Sequence, residues 1–250
     1  MRVSGLVPRL DQLLARNTGR SRREIAKLLR AGVVTRLDGT PELDGRARID
    51  AAELPLELLV EGVPIQVRTH AHVLQHKPTG VVTAHRDSRH PTAWALLADA
   101  PLHAELRAVG RLDLDAAGLL LWTTDTARVH TLTHPKRAVP RTYQVALARE
   151  WQRPPECEGR PAIELKDEHR PRITAITPLP EADLHPAMGR PPDAQTFASI
   201  TLLDGAYHEV KRVFAALGSH VLLLVRVAHA GIELPHELEP GAWRELDSLP

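Results

Sequence analysis

Apolar residues recur at helical spacing from the start of the chain. Leu10, Leu13 and Leu14 fall at i, i+3 and i+4 within Arg9–Arg16, so a short helix there carries one apolar and one basic, polar face. Ser21 then precedes RREIAKLLRAG with Glu24 three residues on, the spacing of a capping box, and Gly32 closes the segment. Ile25, Leu28 and Leu29 form its buried stripe. Val33-Val34-Thr35 predicts a strand before a turn at Asp38-Gly39, and Leu58–Val67 predicts a hairpin turning at Glu61-Gly62. Thr69–His72 reads as a linker. Beyond it, Val73–Gln75 predicts a strand, Lys77-Pro78-Thr79-Gly80 a turn, and WALLADA after Pro91-Thr92 a short helix. Leu119–Trp122 is a continuous apolar run, which suits a buried strand. Arg141–Ala148 alternates, placing Tyr143, Val145 and Leu147 on one strand face. Arg172–Ile176 and Phe197–Leu203 predict further strands, and the proline-rich Pro178–Asp193 between them predicts a long irregular surface loop. Val210, Val213, Phe214 and Leu217 mark a helix ended by Gly218, and strands follow at Val221–Val227 and Gly231–Leu234. Many strands, few helices and no regular alternation of the two predict an α+β fold with a mainly antiparallel sheet.

Composition changes this picture little. At 250 residues the chain has room for a small and a medium domain, and 43% hydrophobic with 25% charged residues suits a folded globular protein. The formal charge is only +1, so a nucleic-acid surface must come from local clustering. Such a cluster exists on the second helix, where Arg20, Arg22, Arg23, Lys27 and Arg30 are left for the exposed side. The single cysteine, Cys157, excludes an intrachain disulfide and a thiolate metal cage. No apolar run approaches the ~20 residues of a membrane span, and MRVSGLVPRLDQ lacks the apolar core of a signal peptide, so a cytoplasmic protein is expected.

The richest stretch chemically is GRLDLDAAGLLLWTTD, Gly110–Asp125, which sets Arg111 beside Asp113 and Asp115 and runs into the apolar strand. A carboxylate held at the edge of a core beside a cation can stay ionised and reactive. An Arg-x-Asp tripeptide alone equally describes a solvated loop. Fourteen histidines raise metal binding, with His70 and His72 on one extended face and His130 and His134 on one helical face, but no third ligand follows at a recognisable spacing and no metal is expected. The glycine-rich phosphate loop and the G-x-S-x-G serine motif are both absent.

Gly110-Arg111-Leu112-Asp113 followed by Gly118-Leu119-Leu120-Leu121 and Thr123 resembles the catalytic signature of RNA pseudouridine synthases, in the branch acting on ribosomal RNA. HKPTGVV at His76–Val82, Arg141–Val145, DGAYHEVKRVFAALG at Asp204–Gly218 and the closing Gly241–Leu246 resemble further segments of that branch, in its order. The last of the long motifs looks closest to the small-subunit (16S) uridine-modifying enzymes, while His76 stands where the family usually has Asn and Ala117 where it often has Thr. The resemblance implies residues 1–68 as a ribosomal-protein-type, alpha-L RNA-binding module and residues 69–250 as the catalytic domain. It implies Asp113 as nucleophile with Asp115 as a surface charge. Tyr143 would stack on the flipped uracil and assist loss of the carbon 5 proton, and Lys211 or Arg212, Lys211 first, would ion-pair with Asp113. Lys77, Arg111, Arg141 and Arg212 join the five basic residues of the second helix as RNA contacts. The expected partner is rRNA or an assembling small ribosomal subunit, taken by a monomer, and the isomerisation needs no cofactor. A non-catalytic ribosome-assembly factor on the same fold, with His76 and Ala117 marking a decayed site, and a nucleoside hydrolase are the alternatives.

Overall fold

A computed structural model describes residues 8–157 and 160–250. The first seven residues of MRVSGLVPRLDQ, the stretch on which the signal-peptide reading rests, lie outside the described residues. The chain forms two compact units, divided between Ala71 and His72, with Pro101–Glu105 grouped with the first.

In the first unit, α1 (Leu10–Thr18) and α2 (Arg22–Arg30) precede a sheet of β1 (Val34–Arg36), β2 (Leu56–Val60) and β3 (Val63–Val67). The capping box forms as the sequence predicts: Ser21 accepts from the Glu24 N–H, and Glu24 accepts from the Ser21 N–H at 2.8 Å. The β2–β3 hairpin turns through Glu61 and Gly62 at φ 54° and 80°, the two positive values of a type I′ turn. Leu10, Leu13 and Leu14 of α1 and Ile25 and Leu29 of α2 meet Val34, Leu58, Val60 and Val67 in one core. That core leaves the basic residues of α2 outside.

The second unit is built on a nine-stranded sheet. Its strands are β4 (His72–Lys77), β5 (Arg107–Ala108), β6 (Ala116–Thr123), β7 (Arg141–Leu147), β10 (Ile173–Pro178), β11 (Thr196–Leu202), β12 (Val221–His229), β13 (Ile232–Glu233) and β14 (Trp243–Leu246). A separate short pair comprises β8 (Glu156–Cys157) and β9 (Arg160–Pro161). The main path runs β10-β11-β7-β12-β6-β4-β14, and along it only β12 and β6 are parallel. The mixed, mainly antiparallel α+β architecture expected from the sequence is the one observed.

All eight residues of β6 are buried. This explains its unbroken apolar run, because a strand covered on both faces has no polar side to show. Ala117, Leu119 and Leu121 join Leu74, Ala146 and Val225 in the main core. Trp122 instead donates its indole N–H to Gln75 Oε1 at 2.9 Å, and Gln75 donates to the Ala93 carbonyl, so both of these buried polar side chains have partners.

Two local expectations are corrected and one helix is added. Thr126–Thr133, where the sequence showed only the helical spacing of His130 and His134, forms a helix, α3, with only Leu132 buried on it; Asp125 caps it by accepting from the Ala127 and Arg128 N–H groups. WALLADA shrinks to a single 3-10 turn at Ala95–Leu97. Pro178–Asp193 is not a surface loop throughout, since its prolines frame two 3-10 turns that deliver His185 and Met188, 6% and 0% exposed, into the core. His185 is held there by the Leu234 carbonyl at 3.0 Å, and its N–H by Gln144. The last long helix, α4 (Glu209–Ala216), buries Val210, Val213 and Phe214 as predicted. No helix among the described residues is long and apolar enough to cross a membrane.

Candidate active site

A cleft of about 800 Å³ opens where the loop before β6, the strand β7 and the N-terminal end of α4 converge. Asp113, Tyr143 and Lys211, far apart in sequence, all line it. Arg111 and Arg141 do too.

The loop carrying Asp113 is fixed from beneath. Lys77, fully buried at the end of β4, donates from Nζ to the carbonyls of Ala116 (2.7 Å), Asp113 (2.9 Å) and Pro78 (3.0 Å). Thr83 clamps Leu112 through both its N–H and its carbonyl, and the Gly80 N–H reaches the Leu114 carbonyl at 2.8 Å. Arg226, 1% exposed on β12, donates from Nε to the Leu119 carbonyl at 2.7 Å, and its Nη1 lies 3.5 Å from the Arg111 carbonyl. That approach depends on a glycine. A Cβ on Gly118, at φ +105°, would stand 2.3 Å from the Arg226 carbonyl oxygen.

The Asp113 side chain is about one-third exposed, and its Oδ2 lies 3.5 Å from both Lys211 Nζ and His208 Nε2. Lys211 also bonds Asp115 Oδ1 at 2.6 Å, so its ammonium bridges the two carboxylates. Burial alone would raise the Asp115 carboxyl, but the Lys211 hydrogen bond and charge outweigh it and the net displacement is downward. Asp115 is thus the surface charge that the sequence suggested, 70% exposed, and it also pairs with Lys211.

Arg212 points elsewhere. It pairs with Asp167, and its Nη1 lies 3.4 Å from the Tyr207 carbonyl, leaving Lys211 as the cation of this pair beside Asp113. Tyr143 is 8% exposed on β7, two residues from Arg141 and on the same strand face. Arg141 is itself buried, donating to the carbonyls of Asp204 at 2.9 Å and Leu132 at 3.2 Å, and burial pushes its pKa down.

Two expected RNA contacts thus need correction. Lys77 is a buried strut whose ammonium is spent on three carbonyls, and burial pushes its pKa down to about 8 even though the Asp113 and Asp115 charges pull upward. Arg141 is part of the cleft wall, with two carbonyls already on its guanidinium. Both are buried cations whose hydrogen bonds go to backbone carbonyls and not to carboxylates, which composition cannot reveal. Arg111 is exposed at the cleft. On the first unit, Arg20 pairs with Glu61 and Arg22 with the largely buried Asp11, Arg30 donates to the Ala26 carbonyl, and Arg23 and Lys27 are exposed.

The sequence reading did not single out His208, Tyr207 or Arg226. The first two lie within the Asp204–Gly218 motif, where an aromatic pair directly before the helical spacing of Val210, Val213, Phe214 and Leu217 was the available signal. His76 and Ala117, the two departures from the family pattern, are buried and line no part of the cleft. His76 Nδ1 meets the Leu238 carbonyl at 2.6 Å. Among the described residues, His169, Asp204 and Glu209 group their ligand atoms within 4.8 Å, but these atoms are engaged: His169 with Glu209 at 2.7 Å, Asp204 with Arg172, and Glu209 with the Ala206 N–H.

Residues 71–216 match the model of the RNA pseudouridylate synthase family. The chain belongs to that family. It is similar to the ribosomal small subunit pseudouridine synthase A of Vibrio cholerae, 33% identical with 95% of each chain covered. It is likewise 32% identical to that of Escherichia coli, covering 95% of this chain and 96% of the other. An RNA pseudouridine synthase of Bacillus subtilis without assigned target is 32% identical over 95% of this chain and 94% of its own. Among solved structures, a pseudouridylate synthase superposes with a TM-score of 0.56 at 29% identity, covering 95% of both chains. Asp113, Tyr143 and Lys211 of the cleft described above fall inside the matched segment.

Proposed function

We propose that the chain converts a uridine of small-subunit ribosomal RNA to pseudouridine, with Asp113 as the reacting carboxylate. The observation that carries this is the position of Asp113: a carboxylate on a braced loop, one-third exposed, within 3.5 Å of two basic side chains and sharing its cleft with Tyr143. A uridine stacked in RNA cannot reach such a site, so it must be extruded, at a cost of a few kcal/mol. The bond from N1 to carbon 1′ then breaks, the uracil turns, and carbon 5 bonds to carbon 1′. Carbon 5 gives up its proton and N1 gains one, so neither redox change nor net hydrolysis occurs and no cofactor is called for. Asp113 initiates the cleavage, Lys211 balances its charge between Asp113 and Asp115, and the Tyr143 ring packs on the uracil with its hydroxyl placed to assist proton loss.

Support for a ribosomal substrate comes from the small-subunit enzymes that the chain resembles over nearly its whole length. In this reading Arg20, Arg22, Arg23, Lys27 and Arg30 make the first unit an RNA-binding module of phosphate contacts, with Arg111 at the cleft and Arg212 on α4 as further contacts. The substrate is rRNA or an assembling small subunit, and the enzyme acts as a cytoplasmic monomer. The alternative of a decayed, purely RNA-binding protein loses its motive, because His76 and Ala117 pack away from the cleft.

Incubation with small-subunit rRNA followed by carbodiimide-dependent reverse-transcription mapping tests the proposal. A single new stop, with no change in RNA mass, is expected. An abasic site would indicate hydrolysis instead, and unmarked RNA would indicate a binder.

A further inference from the structure

Tyr207 is 74% exposed, the most exposed large apolar side chain among the described residues, in a chain with only 3% aromatic residues. Its ring lies nearly parallel to that of His208, with centroids 3.8 Å apart and planes at 17°. Both residues line the cleft, and His208 presents Nε2 to Asp113 Oδ2 at 3.5 Å. The pair is held in place by its backbone. His208 adopts φ 49° and ψ 32° as the N-cap of α4, a left-handed conformation uncommon for a residue with a Cβ. Arg212 approaches the Tyr207 carbonyl at 3.4 Å, the Arg212 N–H bonds the His208 carbonyl at 3.0 Å, and Glu209 holds the Ala206 N–H. An apolar ring exposed to water gains nothing for the fold, yet several contacts keep it at the cleft.

We propose that Tyr207, backed by His208, is a stacking platform for an RNA base next to the extruded uridine. This rests on the reading of the cleft as a uridine-isomerising site. Extrusion strips the neighbouring base of one stacking partner, and a flat ring at the mouth replaces it. One face of Tyr207 is covered by His208; its exposure leaves the other for the base. Stacking of this kind tolerates any base, so the platform contributes affinity and lowers the cost of extrusion without reading sequence. Tyr207 touches no reacting atom and acts as a positioning residue.

The test compares the full-length protein with Tyr207→Ala and Tyr207→Phe, using a short single-stranded oligouridylate that carries one central 2-aminopurine, whose fluorescence falls on stacking. Phe keeps the ring, so binding and quenching should match the unsubstituted protein. Ala should weaken binding roughly tenfold and abolish the quenching. The slope of log affinity against log salt should stay unchanged, since no charge is lost. Because Tyr207 is exposed, unchanged thermal unfolding is expected in both variants. Quenching in Tyr207→Ala equal to that of the unsubstituted protein overturns the platform, as does an equal loss in both variants, which would point to the hydroxyl. Failure of the isomerisation reading appears separately, as absence of a carbodiimide mark with the unsubstituted enzyme, and leaves the quenching result standing.

Discussion

Replacing Lys77 by Met keeps a long unbranched stem and removes the ammonium that holds the carbonyls of Pro78, Asp113 and Ala116. Two opposing effects set the size of the change. Burial pushes the Lys77 pKa from 10.5 to about 8; at about 1.4 kcal/mol per pH unit, the buried ammonium costs roughly 3 kcal/mol that Met does not. Against this, each buried carbonyl left without a donor costs about 1–3 kcal/mol. The Asp113 carbonyl keeps the Ala116 N–H at 3.2 Å, so two carbonyls bear most of the loss. A net destabilisation of about 1–2 kcal/mol at neutral pH follows.

The sign with pH is set by the folded pKa lying below the unfolded one. Between about 8 and 10.5 the unfolded chain binds more protons, so the Lys77 contribution to stability rises with pH across that window and is lowest below it. The Met variant lacks this rise. Urea denaturation of both proteins at neutral pH and near pH 10 should show the stability gap widening by about 2–3 kcal/mol. Turnover should fall through kcat more than through KM, because the loop under the Asp113 carboxylate is loosened while the cleft walls remain. A stability difference that is flat with pH, together with unchanged kcat, would refute the assignment of Lys77 as the strut of this loop.

Asp113→Asn should abolish release of tritium from 5-tritiated uridine in rRNA while preserving fold and RNA affinity; Asp115→Asn, which loses only a Lys211 partner, should retain most of it, and comparable release from Asp113→Asn and the unsubstituted protein would mean the wrong carboxylate is named. Tyr143→Phe should bind RNA normally and turn over more slowly in the same assay, and full activity would remove the hydroxyl from proton transfer. Gly118→Ala places a Cβ 2.3 Å from the Arg226 carbonyl oxygen, which forces β6 and β12 apart and should cost about 3 kcal/mol or more in chemical denaturation; a loss well under 1 kcal/mol would contradict the close approach. Charge removal at the exposed Arg23 and Lys27, both to Gln, should flatten the slope of log RNA affinity against log salt by about 1.4–1.8, and an unchanged slope would take this face out of the interface.

Local rules carried far in this chain. The leucine spacing of α1, the Ser21–Glu24 box of α2, the Glu61-Gly62 turn and the unbroken run of β6 each depend on interactions over a few residues, and each was legible in the sequence. The motif order was legible for the same reason: GRLD, the strand bearing Tyr143 and the helix bearing Lys211 are contiguous stretches that can be compared directly. What tertiary structure decided is who meets whom. Lys77 and the Asp113 carbonyl are 36 residues apart, Lys211 and Asp115 are 96 apart, and Arg226 reaches Leu119 across 107. Lys77, Arg141 and Arg212 looked alike as basic residues in family motifs. Only packing turned the first into a strut, the second into a wall and the third into the partner of Asp167, because the fate of a cation depends on which carbonyls and carboxylates the fold brings to it and on how much water is left.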